Sequence, residues 1–213
     1  KKGKKLINYS TKGKRRLVEL LLRAEVDVNF INPLGSTALM LASYNGDIET
    51  IRLLLAAGAN PNMQNQNGLT ALMGAALKGN EEAVGVLIGA GVDVNIQDAK
   101  GKTALMNASE IGHPDIVQML IQNGANVDLQ NRPQDVTALM FAIVNGHTDI
   151  AQLLIEAGAD KNLQDCNGET ALMHAAKNGN AVITQILIQH GAPIDIQHTQ
   201  NATALMFAAR NGH

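Results

Sequence analysis

The chain has 213 residues, a net charge of −2, 46% apolar residues and only 2% aromatics, so Leu, Ile, Val, Ala and Met must fill its interior. No apolar run approaches a membrane span and no signal peptide is visible. The single cysteine, Cys166, excludes a disulfide framework and suits a reducing compartment, so an intracellular, cytoplasmic location is expected. Thr-Ala-Leu-Met occurs six times, starting at Thr37, Thr70, Thr103, Thr137, Thr170 and Thr203, in steps of 33, 33, 34, 33 and 33 residues. Such a period means stacked supersecondary units that touch only their neighbours, so function belongs on a surface and not in a cleft. The chain begins at Lys1 and stops within a unit, and is expected to be part of a longer protein.

In chain order, residues 1–16 come first, with eight Lys or Arg and no acid, whereas the remainder holds nine basic and nineteen acidic residues. This segment is either a solvated end of the array or a contact for nucleic acid or anionic lipid. A helix is predicted over Leu17–Arg23. Glu25 then replaces a helix-ending glycine, which costs strain if the position needs positive φ.

Residues 65–97 represent the later units. Asn67-Gly68 marks a turn, Thr70 caps a first helix from Ala71 to about Leu77, and Gly79 ends it. A second helix runs from Glu81 to about Ala90, Gly91 stops it, and Asp93 to Gln97 is extended. Asp135 and Asn201 stand at the turn-glycine position, where these types tolerate left-handed geometry best after glycine. One extra residue within Asn131–Val136, a stretch that includes Pro133, predicts a bulged turn.

Helices this short are marginal alone and need neighbours. Leu39, Leu72, Leu105, Leu139, Leu172 and Leu205 form one column, and Leu54, Leu87, Leu120, Leu154 and Leu187 another, beside Leu55, Ile88, Ile121, Ile155 and Ile188. Small residues such as Ala38, Ala42, Ala71 and Ala75 let first helices approach closely, so a curved stack is expected, with first helices and turns on its concave side. Truncating Leu120 to Ala is expected to cost about 2–5 kcal/mol, and truncating Leu6 much less, because Leu6 lies in a terminal, irregular unit.

A 33-residue turn–helix–helix unit with Thr-x-Leu near its start resembles the ankyrin repeat, with Thr-Ala-Leu-Met in place of the usual Thr-Pro-Leu-His. The glycines before the motif (Gly35, Gly68, Gly101, Gly168), Gly-His at Gly112-His113, Gly146-His147 and Gly212-His213, and ends such as Gly58-Ala59-Asn60 match as well. The resemblance implies an all-α, ankyrin-repeat solenoid of helix-turn-helix units with β-turn or hairpin loops. It implies one domain over 1–213, with a degenerate repeat at 1–31, full repeats at 32–64, 65–97, 98–130, 131–164 and 165–197, and a truncated one at 198–213. In the family the motif's His ties units together through polar contacts. Met40, Met73, Met106, Met140, Met173 and Met206 are expected to pack instead, and ligands about 10 Å apart cannot share a metal ion.

No phosphate-binding loop, dinucleotide fingerprint or zinc-protease motif occurs. Neither enzyme activity nor a cofactor or metal is expected. The acidic body and scarcity of aromatics weigh against nucleic acid. Asp93, Asp128 and Asp160 are expected to bond turn backbones, and Cys166 to be an exposed, inert thiol. In the resembling family, partners are held by turn tips and the ends of first helices. Carried onto this chain, these are Tyr44, Leu77, Glu110, Ile111, Val144, Lys177 and Arg210, with the tips Pro33, Leu34, Leu69, Lys102, Val136 and Glu169. The resemblance thus implies a monomeric scaffold that binds a protein or peptide on its concave face. A targeting arm of a larger enzyme, or of a bacterial effector acting in host cytosol, is the alternative. Asn95 and Asn29 also lie in sequences similar to those that asparaginyl hydroxylases recognise.

Overall fold

A computed structural model describes residues 1–213. The chain forms two compact units, Lys1–Ala99 and Lys100–His213. The first holds α1 (Lys2–Thr11), α2 (Arg15–Arg23), α3 (Ala38–Asn45), α4 (Ile48–Ala56), α5 (Ala71–Lys78) and α6 (Glu81–Gly89). The second holds α7 (Ala104–Ile111), α8 (Pro114–Gln122), α9 (Ala138–Val144), α10 (Thr148–Glu156), α11 (Ala171–Lys177), α12 (Ala181–Gln189) and α13 (Ala204–Asn211). About half the chain is helical, and the only β pairing is an isolated bridge between Gln164 and Thr170. The fold is an all-α solenoid of helical hairpins.

The motif's threonine starts each first helix. In α3, α5, α7, α9 and α11 the preceding threonine is extended, and its hydroxyl accepts the methionine N–H three residues on at 3.2–3.4 Å. This satisfies one of the orphan donors of the helix end. Met73, Met106, Met140 and Met173 are almost wholly buried, as packing residues should be. Met40 departs from the expectation that a thioether makes no polar contact, since its Sδ accepts the Thr37 N–H at 3.4 Å.

Neighbouring repeats within a unit are stitched by backbone and amide groups. The Gln66 N–H donates to Leu34 O at 3.2 Å in the first unit, and the Cys166 N–H to Gln134 O at 2.9 Å in the second. Gln64 Nε2 spans two turns, donating to Gly68 O and Gln97 O at 2.7 and 2.9 Å. The repeating acids bond turn backbones as expected: Asp93 Oδ1 accepts the Asn95 N–H, and Asp128 Oδ1 accepts the Asp160 N–H. A Cβ on Gly68 (φ +77°) would lie 2.6 Å from Ala99 N, so the next turn's backbone, as well as the positive φ, requires glycine there. Where Asp135 takes this position, φ is +54° and the extra residue is absorbed. Asn131 Oδ1 accepts the Val136 N–H five residues on, not four.

Two expectations change. Leu6 is fully buried, like Leu120, because α1 packs on α3 as well as on α2, so its terminal place gives no reason for a small truncation cost. Leu205 is 77% exposed and Ile188 49%, since no helix pairs with α13 as α12 pairs with α11. The basic segment forms α1 and the start of α2, with its Lys and Arg side chains exposed, Arg15 paired to Glu49 at 3.1 Å and Lys2 Nζ donating to Ala24 O. Glu25 adopts φ +53°, so the strain foreseen from its sequence position is present.

Candidate functional site

Two positions recur in each repeat with the motif, and in two repeats their side chains meet. One is the turn residue just before the motif's threonine, and the other is the residue seven after that threonine, in the last turn of the first helix. The chain folds back across the extended threonine, so residues eight apart meet. In the second unit Lys102 Nζ lies 2.5 Å from Glu110 Oε2, and Glu169 Oε1 lies 3.0 Å from Lys177 Nζ, the same pair with its charges reversed. Val136 and Val144 hold these positions in the repeat between, and Ala202 and Arg210 in the last. In the first unit the occupants are Ser36 with Tyr44, and Leu69 with Leu77.

The predicted binding residues separate by exposure. Tyr44, Leu77, Ile111, Val144, Lys177, Arg210, Pro33 and Leu34 are exposed, whereas Leu69, Glu110, Lys102 and Val136 are half-buried. Glu169 is 6% exposed, because it is clasped by neighbours and does not project from the tip. Ile111 does not belong to the Tyr44–Leu77–Val144 series. It occupies the next helix position, where Asn45, Asn178 and Asn211 donate to carbonyls of the preceding repeat, so Glu110 interrupts the apolar series. Lysines cap several of these rings: Lys78 Nζ lies 4.7 Å from the Tyr44 ring centre, Lys102 4.5 Å from that of Phe141, and Lys177 5.5 Å from that of Phe207.

A buried ionic network supports one tip and escaped the sequence reading. His174 Nε2 lies 3.1 Å from Asp165 Oδ2, and its Nδ1 lies 3.5 Å from Glu169 Oε2. Asp165 Oδ1 also accepts the N–H groups of Asn167 and Glu169, fixing the turn. These donor atoms lie within 4.8 Å of one another, close enough for a cation. However, the two imidazole nitrogens face different carboxylates, so one ion could use only one of them, and Lys177 already neutralises Glu169. The arrangement fits a clasp that ties the turn to α11. The only sequence signal was His174 itself, standing where Leu41 and Gly74 stand in earlier repeats.

His113 and His147 of the Gly-His pairs stand at the N-caps of α8 and α10, as expected. His147 reaches back to Glu110 O at 3.2 Å, and its ring occupies the space that a Cβ on Gly112 would need, 2.5 Å away. Cys166 is exposed. Asn29 is structurally engaged, since its Oδ1 accepts the Asn60 N–H at 2.8 Å; Asn95 is half-buried, and its N–H is held by Asp93. No helix is long and apolar enough to cross a membrane.

The profile of ankyrin repeats matches this chain over residues 6–98, 73–165 and 157–213. Among solved structures, the ankyrin repeat domain of Bcl-3, described as a unique member of the IkappaB protein family, is similar with a TM-score of 0.87 and 27% identity. That match covers 95% of this chain and 92% of that one. The human ASB11 ankyrin repeat domain is similar with a TM-score of 0.81 and 26% identity, covering 95% and 90%. No curated relative matches the sequence. Period, capped motif, stitched turns and these matches place the chain in the ankyrin-repeat family, whose domains are generally protein–protein interaction modules.

Proposed function

We propose that the chain is a protein-interaction scaffold that binds a partner protein or peptide on its concave face, through turn tips and first-helix ends. One observation carries this reading. Tyr44 (41% exposed), Leu77 (37%), Ile111 (47%) and Val144 (52%) stand in solvent at first-helix ends, although the fold already buries its own Leu columns. Exposed apolar side chains that the core does not use, at equivalent positions of neighbouring first helices such as Tyr44 and Leu77 within the first unit, mark an interaction site. In the first unit this face is apolar around Tyr44 and Leu77. In the second unit it ends in Arg210, beside the Lys177–Glu169 pair, and this cation favours an acidic group on a partner. Tyr44 is the strongest anchor in the first unit, as an aromatic that combines apolar area with a hydroxyl.

The test is affinity capture of a partner with this chain, followed by the Tyr44→Ala, Leu77→Ala double variant. Binding should weaken at least about tenfold. The unfolding midpoint should hardly move, because both side chains are solvent-exposed. Affinity that survives this pair but falls when exposed residues of α4 or α6 are changed would assign binding to the opposite face.

A further inference from the structure

Beside Glu169 and Lys177 the second unit has a polar cavity of about 500 Å³, whose walls also include His198, Gln200, Phe207 and Arg210. Its charge is not balanced. Lys177 is neutralised by Glu169, which it contacts through both carboxylate oxygens at 3.0 and 3.3 Å. Arg210 has no such partner, because the facing position, filled by Glu169 for Lys177, is Ala202 in the last repeat. Arg210 makes no ion pair and is exposed.

His198 supplies a neutral donor of fixed orientation. Asn32, Asn131 and Asp165 hold the same turn position and accept backbone N–H groups through a side-chain oxygen. His198 does this with Nδ1, which accepts the Gln200 and Ala202 N–H groups at 3.0 and 3.2 Å. Those two bonds require Nδ1 to be unprotonated, so the ring proton of the neutral side chain sits on Nε2 as a donor. The ring is held edge-to-face against Phe207, with centroids 5.0 Å apart.

We propose that this cavity seats one carboxylate, from an Asp or Glu side chain of an acidic partner segment, with the Arg210 guanidinium and His198 Nε2–H as donors. A guanidinium matches a carboxylate with two parallel N–H donors. The single surplus positive charge suits a monoanion. One surplus positive charge would leave a phosphate dianion half-compensated. The proposal rests on the reading of the first-helix and turn-tip face as the partner-binding one, and names the chemistry of one contact on it.

The experiment is an NMR titration of the ¹⁵N-labelled chain with an acetylated, amidated Leu-Glu-Asp-Leu peptide and with its Leu-Gln-Asn-Leu counterpart. Only the acidic peptide should move the amides of Thr199, Gln200, Arg210 and Asn211. Arg210→Ala should weaken that response about fivefold, the upper range for a solvent-exposed ion pair. His198→Asn keeps a turn acceptor of the kind Asn131 provides, so it should lower affinity while leaving the turn amides in place. Equal responses to both peptides, an unchanged affinity in Arg210→Ala, or inorganic phosphate binding as tightly as the acidic peptide would each overturn the proposal. Shifts at Ile111 and Val144 with none at residues 198–211 would overturn it and leave the wider reading standing. A response confined to α8, α10 and α12 would overturn both.

Discussion

The two compact units share one backbone plan but dress it differently. Across the tip and helix-end positions, Lys1–Ala99 places Ser36 with Tyr44 and Leu69 with Leu77, whereas Lys100–His213 alternates ion pairs with Val136–Val144 and ends on Ala202–Arg210. Beneath these pairs both units use the same threonine caps and the same buried leucines. The fold therefore does not depend on the chemistry of that face. Val136 and Val144 stand between the two ion-paired repeats on the same capped and packed helix, so an apolar pair can take the place of a charged one. Glu169 is the exception, since it is buried and held by His174 as well as Lys177.

The largest expected effect tests the shared plan. Leu54 and Leu120 are both fully buried at the same position of a second helix, one in each unit. Truncating either to Ala should cost about 2–5 kcal/mol, read as a shift in urea midpoint. A cost at one site well below that range would show that the units are not built alike. Leu205→Ala, at a site 77% exposed, should barely register.

His174→Leu probes the clearest difference. Leu41 fills this position in the first unit without difficulty, but in the second the change removes the partner of Asp165 Oδ2 and of Glu169 Oε2. A loss of about 1–3 kcal/mol is expected, as for buried polar groups left unsatisfied. Adding Asp165→Asn and Glu169→Leu should recover most of it, since Asn32 and Leu69 occupy those positions in the first unit. Failure to recover would mean that the clasp does more than satisfy its own carboxylates.

Two smaller changes should stabilise. Glu25 holds φ +53°, where later repeats have a glycine such as Gly58, so Glu25→Gly should gain about 1 kcal/mol by thermal or urea unfolding. Ser43 and Ser109, at equivalent positions in the two units, have buried hydroxyls without a partner. Replacing each by Ala, the residue at Ala76 and Ala176, should be neutral or gain up to about 1 kcal/mol. Unequal outcomes for the two serines would locate a difference in packing beneath the shared plan.

The sequence by itself determined the period, the helix boundaries to within a residue or two, the threonine caps and the positive-φ turn positions, including the strained Glu25. These are local demands: a helix end needs an acceptor for its N–H groups, and a left-handed residue favours a missing Cβ. It also marked which first-helix ends carry apolar or basic side chains, with Ile111 misplaced by one position. Only the tertiary structure decided that Lys102 meets Glu110, that Asp165, Glu169 and His174 form a buried clasp, and that Ala202 leaves Arg210 unpaired. It alone showed Leu6 to be as buried as Leu120, and Leu205 to be exposed. Each of these depends on what a neighbouring turn or helix brings across the gap. Residues eight apart in sequence touch only after the chain folds back, and burial is a property of the neighbour as much as of the residue.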